Sequence, residues 1–316
     1  MTPTPIFTRR SLLVSAATIA CMPNLSVARD DADDREITAV RDKAKAAGLG
    51  ELGVSRNEQY LAIGDAPEGF RGRALEILVG LAKDYLKHLK DKEFRVEKPS
   101  GRMTVVALSG RAAFEAFEGG NPGPIVGGYY DVATNRLVMF DNRDTTGDPN
   151  AERRNTVVLF HEATHQLTFN TGLLDREGDI PLAIAEGIAN YGEARTPNGR
   201  TPFGAVNRDR LDGLTQPGAK KRLRVVLRPV ADWIKNDDAL DDRLQPDRSL
   251  QIGYSECWLL VHYLMKTPSR LPGFRAYLEA IRARKDASKR MDDWTAHLGD
   301  PAKFDKDLAA YLRKLT

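Results

Sequence analysis

At 316 residues the chain is long enough for one large domain or two small ones, and its 41% hydrophobic content is ordinary for a globular protein. Lys and Arg number 47 against 44 Asp and Glu, a formal net charge of +3. So even a balance excludes a polycation built for nucleic acid and gives no case for a strongly charged partner.

Residues 1–28 read as an export signal. Thr8-Arg9-Arg10-Ser11-Leu12-Leu13 resembles the twin-arginine signature, an apolar run from Leu12 to Ala20 follows, and Ser26-Val27-Ala28 fits small-x-small cleavage before Arg29. That run is too short to span a bilayer, so no transmembrane helix is expected in the mature chain. Two other routes fit the same residues: a Sec signal with an incidental arginine pair, or a lipoprotein box at Thr18-Ile19-Ala20-Cys21 that would anchor the chain through Cys21. All three imply a periplasmic or secreted protein. Removal of the leader leaves Cys257 as the one cysteine, so no intramolecular disulfide can form. Cys257 sits in an apolar helical pattern and reads as a buried small hydrophobe.

Residues 29–34 are charged and expected to be disordered. From there to residue 145 strands and helices alternate. Glu36 to Ala47 reads as a short helix, Tyr60 to Ile63 as a strand and Ala74 to Leu89 as an amphipathic helix. Met103 to Leu108 reads as a strand and Arg111 to Glu118 as a helix. His88 lies beside Lys87 and Lys90 and is expected on the exposed side. Gly127 to Asp131 and Arg136 to Phe140 read as paired strands joined by Val132-Ala133-Thr134-Asn135. The whole suggests a small mixed sheet with helices against it.

The informative stretch begins at Thr156. His161-Glu162-Ala163-Thr164-His165 lies on an expected helix, with Asp148-Pro149 as its start and Asn170-Thr171-Gly172 as its stop. Histidines four residues apart share one helix face, so two imidazoles can grip one zinc ion at about 2.0–2.1 Å each. Glu162 sits beside them, within reach of a water on that metal. A second helix is expected from Asp179, as cap, through Pro181 to Tyr191. Within it Glu186 stands in an apolar run, where an unpaired carboxylate would be costly to bury. A metal would resolve that cost: His161, His165 and Glu186 supply three ligands, and a fourth position is left for water.

With His161-Glu162-x-x-His165 and Glu186-Gly187-x-Ala189-x-Tyr191 in place, the chain resembles the gluzincin zinc metallopeptidases, the group of thermolysin and the aminopeptidase/leukotriene-hydrolase enzymes. More narrowly it resembles an uncharacterised exported bacterial family. The likeness is dense from about Gly127 to Tyr191 and again near Tyr254, and thin elsewhere. It implies zinc as cofactor, a peptide or protein as substrate, and Glu162 as the base that takes the water's proton. It also implies that the strand before the zinc helix, here Leu137 to Phe140, lies along the cleft with an edge able to bind an extended peptide; a plain sheet-edge hairpin fits equally. Tyr254 matches the tyrosine that donates to the oxyanion in the aminopeptidase branch. Asn190 falls where thermolysin-like enzymes carry a carboxylate that orients a ligand histidine, which implies a weaker support for His161. The Gly-x-Met-Glu-Asn segment of the aminopeptidase branch is absent, so no aminopeptidase specificity is inferred.

Beyond Tyr191 a polar, Gly- and Pro-rich stretch runs to about Gly218. The basic run Lys220 to Arg228 has no interleaved aromatics and reads as a solvated or strand-edge charge run, not a nucleic-acid site. Residues 236–247 are acidic and loop-like. Tyr254 to Leu264 reads as a helix packed through Trp258, Val261 and Leu264, with His262 structural. Residues 271–316 read as helical, with one face at Phe274, Tyr277, Leu278 and Ile281 and another at Phe304, Leu308, Tyr311, Leu312 and Leu315. His297 is expected in a loop.

The expected protein is therefore an exported zinc metallopeptidase of α+β class. Residues 1–28 form the signal, 29–145 an α/β region with an edge hairpin, and 146–316 the zinc-site helices and a mainly helical C-terminal half. Two other functions fit the same residues: a zinc-binding but catalytically weak envelope or partner-binding module, and a zinc hydrolase of a non-peptide amide or ester. Retention of Glu162 argues against the first, since metal binding alone does not need it.

Overall fold

The computed structural model describes residues 25–120, 127–144, 149–216, 223, 224, 226–240 and 250–316. The stretch expected to be an export leader lies outside these except for its last four residues, as do Lys220, Lys221 and Arg222 and the acidic residues from 241 onward.

Five strands form one sheet: β1 (Gly53–Arg56), β2 (Tyr60–Gly64), β3 (Met103–Leu108), β4 (Gly128–Asp131) and β5 (Arg136–Phe140). Their order is β1-β2-β3-β5-β4, parallel at the β2–β3 and β3–β5 pairs and antiparallel at the two outer ones. The central strands are apolar on both faces, as a sheet covered on both sides requires. Tyr60, Ala62, Val105, Leu137 and Met139 enter one hydrophobic cluster, while Leu61, Ile63, Val106, Leu108, Val138 and Phe140 enter another. This strict alternation is the period-two pattern of a pleated strand.

The second cluster is closed by α1 (Leu25–Ala46), through Val40 and Ala44, and by α3 (Arg111–Glu118), through Phe114 and Phe117. The first is covered by α2 (Glu68–Asp91) and α4 (Ala151–Asn170), and it continues as far as Leu312. It takes in α5 (Leu182–Gly192), α6 (Arg208–Gly213), α7 (Val230–Lys235), α8 (Leu250–Lys266), α9 (Leu271–Ile281), α10 (Arg290–Leu298) and α11 (Pro301–Leu315). A two-stranded ladder, β6 (Thr215–Gln216) with β7 (Leu223–Arg224), is separate from the five-stranded sheet. The α+β class expected from the sequence, with its sheet in the N-terminal half and helices behind, is the class found.

Several local expectations are corrected. The first helix begins at Leu25 rather than at Glu36, so its N-terminal charges are helical. The N-cap of α4 is Asn150 rather than the Asp148-Pro149 pair, whereas its stop is as expected, with Gly172 at φ +76°. Asp179 does not cap α5. Its carboxylate bridges Arg284 and Arg290, and the Leu182 N–H donates instead to Asp237 at 2.8 Å. His88 is half-buried, with Nε2 3.0 Å from the Tyr191 hydroxyl, because it borders the buried stripe of Leu81, Tyr85 and Leu89 on α2. His297 belongs to the last turn of α10, ahead of Gly299, not to a loop. Cys257 is free and buried and His262 is buried, both as expected.

The strand expectation needs the largest correction. Leu137 to Phe140 is not an edge: β5 inserts between β3 and β4 and its side chains are buried. The edge next to α4 is β4.

One glycine sets the geometry of the C-terminal half. A Cβ at Gly187 would stand 2.5 Å from the Cys257 carbonyl oxygen. Only glycine lets α5 come that close to α8, and so brings Glu186 and Tyr254 to one cleft.

Candidate metal centre

Thr156 to Leu167 form the middle of α4, and its two histidines project on one side, one turn apart. His161 Nε2 and His165 Nε2 are 3.2 Å apart. The returning helix α5 carries Glu186 to them, its Oε2 3.1 Å from His161 Nε2 and 3.6 Å from His165 Nε2. Glu162, between the histidines in sequence, offers a further oxygen: ligand atoms of His161, Glu162 and His165 all fall within 4.8 Å of one another, a group that could hold a metal ion.

The donor set passes a simple test of fit. Four-coordinate tetrahedral ligands at about 2.0–2.1 Å from a metal lie about 3.3 Å from each other. The three separations among His161, His165 and Glu186 are 3.1, 3.2 and 3.6 Å. Two imidazole nitrogens and one carboxylate oxygen suit zinc among the common divalent ions. Charge agrees, since the carboxylates of Glu162, Glu186 and Glu193 converge here, with the Arg210 guanidinium against them.

His161 has a second partner that the sequence did not disclose. Its Nδ1 is 2.8 Å from Glu193 Oε1. Glu193 is held in turn by Asn207 Nδ2 at 2.8 Å and by Arg210, whose Nη2 and Nε donate at 2.6 and 2.9 Å. Asn190, expected in this role, faces elsewhere: its Nδ2 donates to the Tyr254 carbonyl at 3.1 Å. The supporting group is therefore a full carboxylate seven residues past Glu186, and the expectation of a weaker support is overturned. A spacing of seven residues, two helical turns, was the available signal.

These contacts shape the ionisation. Burial works against charge on Glu186, but His165 and His161 outweigh it and hold its carboxyl well below the usual range. Burial likewise opposes a proton on His161, yet Glu162, Glu186 and Glu193 together raise its pKa well above the ordinary value. Glu162 moves the other way: burial raises its pKa against the pull of His161 and His165, and the Tyr130 backbone N–H donates to it. A carboxylate raised in this way is better placed to accept a proton near neutrality.

Tyr254, near the start of α8, joins the site. Its ring centroid lies 6.2 Å from that of His161, and the Arg210 guanidinium stands over the Tyr254 ring at 5.5 Å from its centroid. Burial raises its pKa, so the phenol keeps its proton as a donor. His161, Glu162, His165, Glu186 and Tyr254 thus all line one open cleft of about 470 Å³. Its opposite wall is β4, through Gly128, Tyr129 and Tyr130.

Residues 155–286 match the family model described as a protein of unknown function, DUF1570. The matched span runs through α4, α5 and α8 and contains His161, Glu162, His165, Glu186, Glu193, Arg210 and Tyr254. A comparison with curated proteins finds no match.

Proposed function

We propose that this chain is a zinc-dependent peptidase of gluzincin type, exported from the cytoplasm. The observation that carries the reading is the spacing of His161 Nε2, His165 Nε2 and Glu186 Oε2, with Glu162 beside them in an open cleft. A bound zinc ion would supply Lewis-acid polarisation of a carbonyl and a more acidic water.

The chain's own residues account for the rest. His161, His165 and Glu186 would hold the ion. Glu162, its pKa raised by burial, takes the proton of the attacking water and returns it to the leaving amine. Tyr254 keeps its proton and donates to the developing oxyanion. Glu193 accepts from His161 Nδ1, which presents the other ring nitrogen to the cleft, and Arg210 clamps Glu193. The outer strand β4, which lines the cleft, can align an extended peptide by strand addition.

Export rests on the leader-like residues alone. Among the described residues no helix is long and apolar enough to cross a membrane.

The test is a digest of a broad peptide library by protein purified without chelator, with bound metal measured on the same sample. Cleavage that disappears with chelator and returns with zinc supports the reading. Full zinc loading with no cleavage of any peptide would make the chain a metal-binding module instead.

A further inference from the structure

The cleft carries one cation that the chemistry above does not use. Arg176 lines it, as do Tyr130 and Ile180. It sits on the turn between α4 and α5, where the Gly178 N–H donates to the Asp175 carbonyl at 3.1 Å and the Glu177 N–H donates to the Asp175 carboxylate at 3.0 Å. The turn is anchored from outside: Asp175 N–H donates to the Arg282 carbonyl at 3.1 Å, and Asp179 is bridged by Arg284 and Arg290. Arg176 is thus presented by a fixed backbone rather than by a loose loop.

Every acidic neighbour of Arg176 in this turn is engaged elsewhere. Asp175 accepts from the backbone of Glu177, Glu177 pairs with Lys285 at 3.1 Å, and Asp179 pairs with the two arginines. Among the described residues Arg176 has no hydrogen bond or ion pair, and it is exposed. Its charge is nonetheless felt inside the cleft. The Tyr130 phenol, pushed up to about 12 by burial, is drawn back by Arg176. In the same cleft Tyr130 and Phe169 stack at 5.9 Å and 14° between planes, and Ile180 and Leu182 add apolar lining. An aromatic stack and an exposed forked cation in one cleft match an apolar residue that ends in a carboxylate.

We propose that Arg176 and the Tyr130–Phe169 stack form a substrate subsite that selects a carboxylate, either the free C-terminus of a peptide or an acidic side chain. This rests on the hydrolytic reading of the same cleft. The metal would meet the scissile carbonyl, and Arg176 would meet the substrate's charge beside it.

The experiment uses three matched peptides around one cleavable bond: one with a free C-terminal carboxylate, its C-terminal amide, and the amide carrying an internal Glu in place of Gln. Cleavage by zinc-loaded wild type and by Arg176→Gln, Arg176→Lys and Arg176→Glu is compared at low salt. Wild type should prefer one carboxylate peptide over the plain amide by about tenfold in kcat/KM, chiefly through KM. The peptide that is preferred identifies which carboxylate is read. Arg176→Gln should erase the preference without slowing cleavage of the plain amide, Arg176→Lys should keep part of it, and Arg176→Glu should reverse it. Equal preference in wild type and Arg176→Gln would overturn the subsite. The same peptides titrated onto zinc-loaded Glu162→Gln protein, with and without Arg176→Gln, read the subsite by binding alone. A binding preference without cleavage by wild type would therefore reject the hydrolytic reading and keep the subsite, whereas cleavage without preference would do the reverse.

Discussion

His161 and Glu193 meet at 2.8 Å between Nδ1 and Oε1, and this contact fixes which ring nitrogen of His161 faces Glu186. A histidine held in this way is both oriented and made a stronger electron donor. Glu193 itself is buried and kept ionised: burial would raise its pKa, and His161 and Arg210 bring it down. Glu193→Gln should therefore lower zinc affinity by about 10–100-fold. Asn190→Ala should leave affinity near wild type, because Asn190 bonds the Tyr254 backbone and not His161. Competition with a chromophoric chelator measures both, and equal losses would remove the special role given to Glu193.

Tyr254→Phe takes away the proposed oxyanion donor and keeps the ring packed against His161 and Arg210. Turnover should drop by about 10²–10³-fold with little change in KM. Undiminished kcat would show that the phenol only packs, and the remaining site would stand without it.

A buried histidine makes stability sensitive to acid. Burial, aided by Lys266, pushes His262 down to about 4, and its Nδ1 is 2.8 Å from the Tyr311 hydroxyl. An unfolded imidazole titrates near 6.5. Between those two values the unfolded chain binds a proton that the native chain refuses, so stability falls as pH drops through this window and is complete above it. His262 alone should contribute a slope of roughly 1 kcal/mol per pH unit there. Urea midpoints at pH 7 and pH 5 for wild type and His262→Phe give the comparison; the variant should lose less on acidification. Parallel losses in the two proteins would exclude His262 as a source.

Gly187→Ala puts a methyl group 2.5 Å from the Cys257 carbonyl oxygen, where neither backbone can yield without moving α8. The cost should be about 1–3 kcal/mol of stability, with a fall in turnover as Tyr254 shifts away from Glu186. Thermal melts alongside kinetics will show it. A neutral Gly187→Ala would mean that α5 and α8 are less tightly seated than described.

Much of the centre was legible because its groups are local. His161, Glu162 and His165 share one helix, where a spacing of four residues dictates a common face. Glu186 stood out as a carboxylate in an apolar run. The period-two strands likewise showed themselves, since both faces of β2 and β3 are buried. What stayed hidden depends on the order of distant segments. Nothing in Leu137 to Phe140 says that β5 will insert between β3 and β4, so the edge was assigned to the wrong member of the hairpin. Arg210 and Asn207 come from a polar stretch without periodicity, and their roles exist only once that stretch folds back on Glu193. His88 looked solvated beside two lysines because its partner, Tyr191, lies 103 residues away in sequence.

The most direct measurement pairs zinc content with hydrolysis in wild type and Glu162→Gln. Glu162 stands one residue out of step with the ligand face, and the amide keeps its size and hydrogen bonding while losing its basicity. Elemental analysis and one cleavable peptide suffice. The expected result is one zinc per chain in both proteins, with hydrolysis in the variant reduced by at least about 10²-fold. Wild-type turnover in zinc-loaded Glu162→Gln would contradict the account.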